Sequence, residues 1–129
     1  MPYTVTAYRA DDASERIGQH FSAREFRCRD GAPAWFVSDA LVELLECIRM
    51  ELGSIPLIVH SGYRTPDHNR RVGGAAGSYH MSGVAADISV AGVRPALLAS
   101  VARAEGAGGV GLYSAFVHVD IAGRRDWEG

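Results

Sequence analysis

The chain has 129 residues, of which 47% are hydrophobic and 22% charged, with a net charge of -2; that is enough for one domain with a real core and has the balance of an ordinary globule. The small net charge gives no electrostatic reason to expect nucleic acid or an anionic membrane as partner, and no apolar run is long enough to span a bilayer. The start, MPYTVTAYRADDASER, is polar and lacks the basic region and apolar stretch of a secretory signal; the expectation is synthesis in the cytoplasm, without insertion in a membrane.

Residues 1–20 read as irregular, with one short strand at Tyr3–Tyr8. In HFSAREF, Ser22 followed by Glu25 makes a capping box, which predicts a one-turn helix that turns Phe21 and Phe26 inward. Leu41, Leu44, Leu45, Ile48 and Leu52 recur at helical spacing. Ser38 is placed to cap that helix and Gly53 to stop it, with Glu43, Glu46 and Arg49 on the wet side. PLIVH at 56–60 reads as a strand. Thr65-Pro66 then reads as an N-cap with proline at the first helical position, opening a short helix through DHNRRV that Gly73-Gly74 ends. GVAADISV at 83–90 is the next strand, and Pro95 opens an amphipathic helix to about Glu105. GGVGLY and FVHVDIA read as two strands turning near Ser114, close enough to form a hairpin.

The sum is an α+β domain, with a mostly antiparallel sheet and flanking helices. No linker, repeat or low-complexity segment divides residues 1–129, so the chain reads as a single domain and, lacking a long apolar strip, as a monomer. Fifteen glycines point to tight turns or close backbone approaches. The two cysteines, Cys28 and Cys47, lie far apart and not in a C-x-x-C pair. They read as free, buried or half-buried thiols; with no second thiol at finger spacing, neither reads as a zinc ligand.

Two histidines and an aspartate stand out. His80 lies in a glycine-flanked loop, SYHMSG, and Asp87 lies in a strand among Val84, Ala85, Ala86 and Ile88. A carboxylate buried there is unfavourable unless it is paired or bound to a cation. His118 meets the same difficulty among Phe116, Val117 and Val119. Strand alternation puts Phe116, His118 and Asp120 on one side. Two imidazoles and one carboxylate suit a divalent metal with an open fourth position, which is where a hydrolytic site holds its water. Taken singly, each has a plainer reading: a histidine in an apolar strand as a hydrogen-bonded core residue, an aspartate at a strand end as a cap or turn former. Spacing alone does not decide between them.

SGYRTPDHN, SYHMSGVAADI and GVGLYSAFVHVDIAGRRDW together resemble the zinc D-Ala-D-Ala carboxypeptidase family over roughly residues 20–127. That family includes vancomycin-resistance D,D-dipeptidases, murein endopeptidases and phage endolysins, and shares its fold with the hedgehog signalling domain. Its S-x-H-x-x-G-x-A-x-D motif is met at Ser78, His80, Gly83, Ala85 and Asp87. The resemblance implies zinc at His80, Asp87 and His118, and hydrolysis of a peptide bond in the peptidoglycan stem peptide, with D-alanine at or near it. It implies that Arg64 faces the site to hold a carbonyl or carboxylate and stabilise an oxyanion; the plainer role is a surface salt bridge. It implies that Ser78 fixes its loop and that Gly83 lets the backbone pass close to the metal. Such a protein would reach the wall by export, release or phage delivery.

In one respect the chain departs from the family. Many members carry Glu or Asp three residues before the last metal histidine, and others a histidine two residues before it; here those positions are Ala115 and Phe116. Asp120, on the same face as His118, is the substitute general base, or else a structural partner of Arg124 or Arg125. His68 is a second candidate, or a helix-surface histidine. The missing acid keeps open a non-catalytic, zinc-containing wall-binding or phage structural module. Histidine and carboxylate ligands also accept other transition metals.

Overall fold

In the computed structural model, which describes residues 3–129, apolar alternation becomes two sheets with three α-helices. Strand β1 (Val5–Arg9) pairs antiparallel with β2 (Ala34–Ser38). β1 begins later than the segment expected, and β2 was not anticipated. Trp35 and Val37 of β2 are buried while Phe36 between them is 40% exposed, an alternation too short to stand out in the sequence. The Trp35 ring N–H donates to the Ala23 carbonyl at 2.9 Å. This ties β2 to a 3-10 turn, Ala23–Phe26, which is closed by the expected Ser22–Glu25 capping box.

Helix α1 (Asp39–Glu51) starts where Ser38 Oγ accepts the N–H groups of Ala40 and Leu41. It buries Leu41, Leu44, Leu45 and Ile48, each such side chain contributing about 1.5–3 kcal/mol. Two details differ from expectation. Glu46 does not lie on a purely wet face: its carboxylate accepts the His20 backbone N–H at 2.7 Å and pairs with the His20 ring at 2.6 Å. Cys47 is exposed rather than half-buried, although both thiols are free as expected.

The main sheet runs in the order β3 (Leu57–Ser61), β4 (Ala85–Val90), β6 (Val117–Asp120), β5 (Gly109–Leu112), β7 (Arg125–Glu128). All pairings are antiparallel except β5 with β7, so the mostly antiparallel α+β reading holds. β7 was not anticipated, because RDWE carries one apolar side chain and no alternation. Helix α2 (Pro66–Arg71) is capped by Thr65, and α3 (Pro95–Ala104) lays Leu98, Ala99 and Ala102 into the core. Among the described residues, no helix is long and apolar enough to cross a membrane. The central strands β4 and β6 carry the polar residues that matter, with neighbours hydrogen-bonded on both sides.

Candidate metal centre

Sheet register assembles the site. Asp87 of β4 stands directly opposite His118 of β6, and Ala85 opposite Asp120. On the other side of β4, the register shifts between Val59 and Ser61, so that Ser61 comes opposite Asp87; such bulges re-aim side chains at strand ends. His80 comes from a different direction, a 3-10 turn (Tyr79–Ser82) whose N-cap Ser78 accepts the His80 N–H at 3.3 Å. Gly83 ends that turn at φ +75, and a Cβ there would lie 2.6 Å from the Phe36 carbonyl oxygen. The close approach that requires glycine is therefore to β2, not to a metal.

Hydrogen bonds fix how each imidazole faces. His80 Nδ1 lies 2.7 Å from the Gly62 carbonyl. A carbonyl only accepts, so Nδ1 carries the proton and Nε2 is left with its lone pair. His118 Nε2 lies 2.8 Å from Asp120 Oδ2, so there Nε2 carries the proton and Nδ1 is the free acceptor. These two free nitrogens, His80 Nε2 and His118 Nδ1, lie 3.2 and 3.3 Å from the same atom, Asp87 Oδ1. The three donor atoms lie within 4.8 Å of one another, and all three residues are buried. Three such donors converging on one point are held together by a shared proton on an imidazole or by a metal cation that displaces it. The donor set, with its carbonyl- and carboxylate-braced histidines, is that of a divalent metal site.

Asp120 lies behind this arrangement. It is fully buried. Its Oδ1 accepts the N–H groups of Gly109 and Ala122, each at 3.0 Å, and its Oδ2 takes His118 and, at 3.4 Å, Arg125. Burial alone would raise its carboxyl, but the hydrogen bond to His118, the charge there and the two backbone donors outweigh that and hold it below the ordinary range. Asp120 therefore faces His118 from behind and does not line the cavity. Burial likewise pushes Asp87 up, yet His118 and His80 hold it well below its usual value. Burial pushes His118 down, but Asp120 and Asp87 raise it overall.

The site opens into a cavity of about 510 Å³, lined by Arg64, Tyr79, Tyr113, Phe116, Arg125 and Trp127 together with the three donors and the 72–78 loop. Arg64 is locked in place: Nε donates to Ser61 Oγ at 3.1 Å, one terminal nitrogen to Asn69 Oδ1 at 3.2 Å, and the other to Asp87 Oδ2 at 3.1 Å. It faces the site and is not a surface salt bridge. His68 does not line this cavity.

The sequence reading missed the aromatic wall. Trp127 packs over Gly111, where a Cβ would meet its ring at 2.5 Å, and reaches His118 with ring centroids 5.0 Å apart. Its ring N–H donates to Tyr113 Oη at 2.9 Å. Tyr113 stacks on Phe116 at 4.6 Å. Arg125 lies over both Tyr79 and Trp127, at 5.2 and 4.7 Å. The available signal was glycine inside a strand pattern, which marks a close approach.

Residues 19–120 match the family model for Peptidase M15, and the chain belongs to that family. Among curated relatives, the peptidoglycan L,D-endopeptidase MepK of Escherichia coli K12 is 38% identical over 79 residues, covering 56% of this chain and 43% of that protein. The zinc D-Ala-D-Ala carboxypeptidase of Streptomyces albus G is 38% identical over 71 residues, covering 54% of this chain and 28% of that protein. The probable MepK of Haemophilus influenzae is 43% identical over 75 residues, covering 53% and 40%. The chain thus spans less than half the length of the curated relatives it matches.

Proposed function

We propose that this chain is a zinc-dependent peptidase that hydrolyses peptide bonds of bacterial peptidoglycan stem peptides, working as a single-domain monomer. The observation that carries this reading is the convergence of two imidazole lone pairs on Asp87 Oδ1, at 3.2 and 3.3 Å, at one side of an open cavity. The names of the relatives support the substrate class. His80, Asp87 and His118 would hold zinc, which when bound would supply Lewis acidity toward a peptide carbonyl and a water.

The chain's own residues do the rest. Of the five N–H groups of Arg64, three are used by Ser61, Asn69 and Asp87, leaving two to hold the substrate carbonyl as negative charge develops on its oxygen. Tyr113, Phe116 and Trp127 form an apolar wall for a small side chain such as that of alanine, and exclude water beside it. Arg125, on the rim, is placed to take a carboxylate of the stem peptide. Asp120 keeps the proton on His118 Nε2, and so keeps Nδ1 free.

A second reading, a non-catalytic wall-binding module, is favoured by one fact: among the residues lining the cavity, Asp87 is the only carboxylate. The deciding experiment is mass spectrometry of muropeptides after incubation with zinc-loaded protein, with and without chelator. Chelator-sensitive release of D-alanine identifies a carboxypeptidase, and chelator-sensitive opening of cross-links identifies an endopeptidase. Sedimentation with peptidoglycan and no new amine would refute the peptidase and establish the binder.

A further inference from the structure

We infer that Cys28, Asp30 and His68 form a second transition-metal site, of the zinc class, behind the loop that carries Arg64. The Cys28 sulfur, an Asp30 carboxylate oxygen and a His68 ring nitrogen lie within 4.8 Å of one another. None of the three residues lines the cavity of the first site. Tetrahedral zinc with its usual bond lengths sets such donors about 3.3–3.6 Å apart, so small side-chain rotations draw them onto one ion. The sequence argued against Cys28 as a ligand because no second thiol lies nearby. Asp30, two residues on, supplies a carboxylate instead, and the fold brings in the imidazole of His68 from a segment distant in sequence.

The frame for this site is already built. The Thr65 N–H donates to Cys28 Sγ at 3.4 Å, and the Thr65 hydroxyl to Asp30 Oδ2 at 2.8 Å. The Ala32 N–H donates to Asp30 Oδ1 at 2.8 Å, and the His68 N–H to Thr65 Oγ1 at 3.1 Å. Arg29, between two of the ligands, is anchored on four carbonyls: Glu25, Arg27, Val59 and His60, at 2.7 to 3.2 Å. Both ligand-bearing segments are therefore held in position before any ion arrives.

His68 is the odd histidine of the five in the chain. The rings of His20, His60, His80 and His118 all hydrogen bond; among the described residues the His68 ring has no such partner. Cys28 is buried, with 2% of its surface exposed. A buried thiol beside a carboxylate and an unpartnered imidazole becomes a thiolate ligand when a metal displaces its proton. An ion here clamps residues 28–30 to the first turn of α2, across Tyr63, Arg64 and Thr65. The plainer arrangement is a thiol that merely donates to Asp30.

The test uses the chain carrying Cys47→Ser, so that the exposed thiol cannot contribute, stripped of metal and then loaded with excess zinc. Two zinc equivalents are expected by elemental analysis after gel filtration, and one in the additional variant His68→Gln, whose substitution lies at a half-buried helix position. The remaining equivalent disappears when Asp87→Asn is added. Cobalt(II) loading separates the two sites: a near-ultraviolet thiolate-to-cobalt charge-transfer band is expected with Asp87→Asn present and absent in Cys28→Ser. With Asp87→Asn present, zinc should also slow hydrogen exchange at residues 63–68. No loss of zinc on His68→Gln, or no charge-transfer band with Asp87→Asn present, would each overturn the site. Unchanged exchange at 63–68 would overturn the clamp. These readouts do not depend on peptidase activity, so failure here and failure of the peptidase reading are separate results.

Discussion

Replacing Asp120 with asparagine tests what holds the metal centre in order. The asparagine oxygen can still accept the Gly109 and Ala122 N–H groups, now 3.0 Å from Oδ1, so the local backbone keeps its anchors. The amide nitrogen then takes the place of Oδ2, 2.8 Å from His118 Nε2, and sets a donor against a donor. The imidazole relieves this by moving its proton to Nδ1, the atom aimed at Asp87, and that nitrogen ceases to be a ligand. The lost interaction is a charge-assisted hydrogen bond worth about 1.5–3 kcal/mol. At about 1.4 kcal/mol per factor of ten, that corresponds to roughly 10–100-fold weaker zinc binding, the range typical of carboxylates that brace metal-bound histidines. Competition with a chromophoric chelator measures it directly, and circular dichroism checks the fold. If Asp120 were instead the general base, zinc affinity would be unchanged and turnover alone would fall by about 10²–10⁴. That pattern would refute the orienting role.

Gly109→Ala should weaken zinc binding in the same assay, because its Cβ would run into the Asp120 carboxylate from the neighbouring strand. Arg64→Lys should retain zinc but lower single-turnover hydrolysis of a stem peptide by about 10²–10³, since one ammonium cannot reach Ser61, Asn69 and Asp87 and still present donors to substrate. Gly83→Ala should lower the midpoint of urea unfolding: the φ of +75 costs a side-chain-bearing residue about 1–2 kcal/mol, and the Phe36 carbonyl oxygen at 2.6 Å must also give way. Asp30 has its carboxyl drawn from 3.8 to about 2, first by the Ala32 N–H and then by Cys28 and Thr65. A pKa lower in the folded state means a stabilisation fully present above 3.8 and lost as pH falls toward 2. In chelator-treated protein, the melting-temperature gap between wild type and Asp30→Asn should therefore be flat near neutrality and close across that window. It should be small, because Asp30 is exposed.

What could be read from the sequence, and what could not, follows from how far each signal reaches along the chain. Helix α1 was legible because its leucines repeat over several turns between Ser38 and Gly53, and every local preference agreed. β2 and β7 were not: a short alternation around an exposed Phe36, and four residues with one apolar side chain, become strands only because β1 and β5 offer an edge to pair with. Asp87 and His118 were legible because polar groups inside apolar strands demand partners. The register that makes them each other's partners was not, since it is set by pairing between β4 and β6. Alternation placed Asp120 on the same side as His118. It could not show that backbone N–H groups from Gly109 and Ala122 would occupy one of its oxygens, the enclosure on which the proposed bracing of His118 rests.

The glycines tell the same story from the opposite direction. Their abundance reads in sequence as looseness, yet several stand where the site is tightest. Gly62 admits the Phe26 backbone, where a Cβ would lie 2.7 Å from Phe26 Cα, and its carbonyl orients His80. Gly74 leaves room for the Asn69 amide that holds Arg64. Gly109 leaves room for Asp120, and Gly111 for Trp127. At Gly74, Gly109 and Gly111 the missing side chain is filled by a residue that touches Arg64 or a metal donor. A centre built this way sits where elements approach closely, held by groups that are themselves hydrogen-bonded. It follows that losses of zinc affinity should come as readily from adding a methyl group at these positions as from deleting a ligand-bracing side chain, because both displace the same supports.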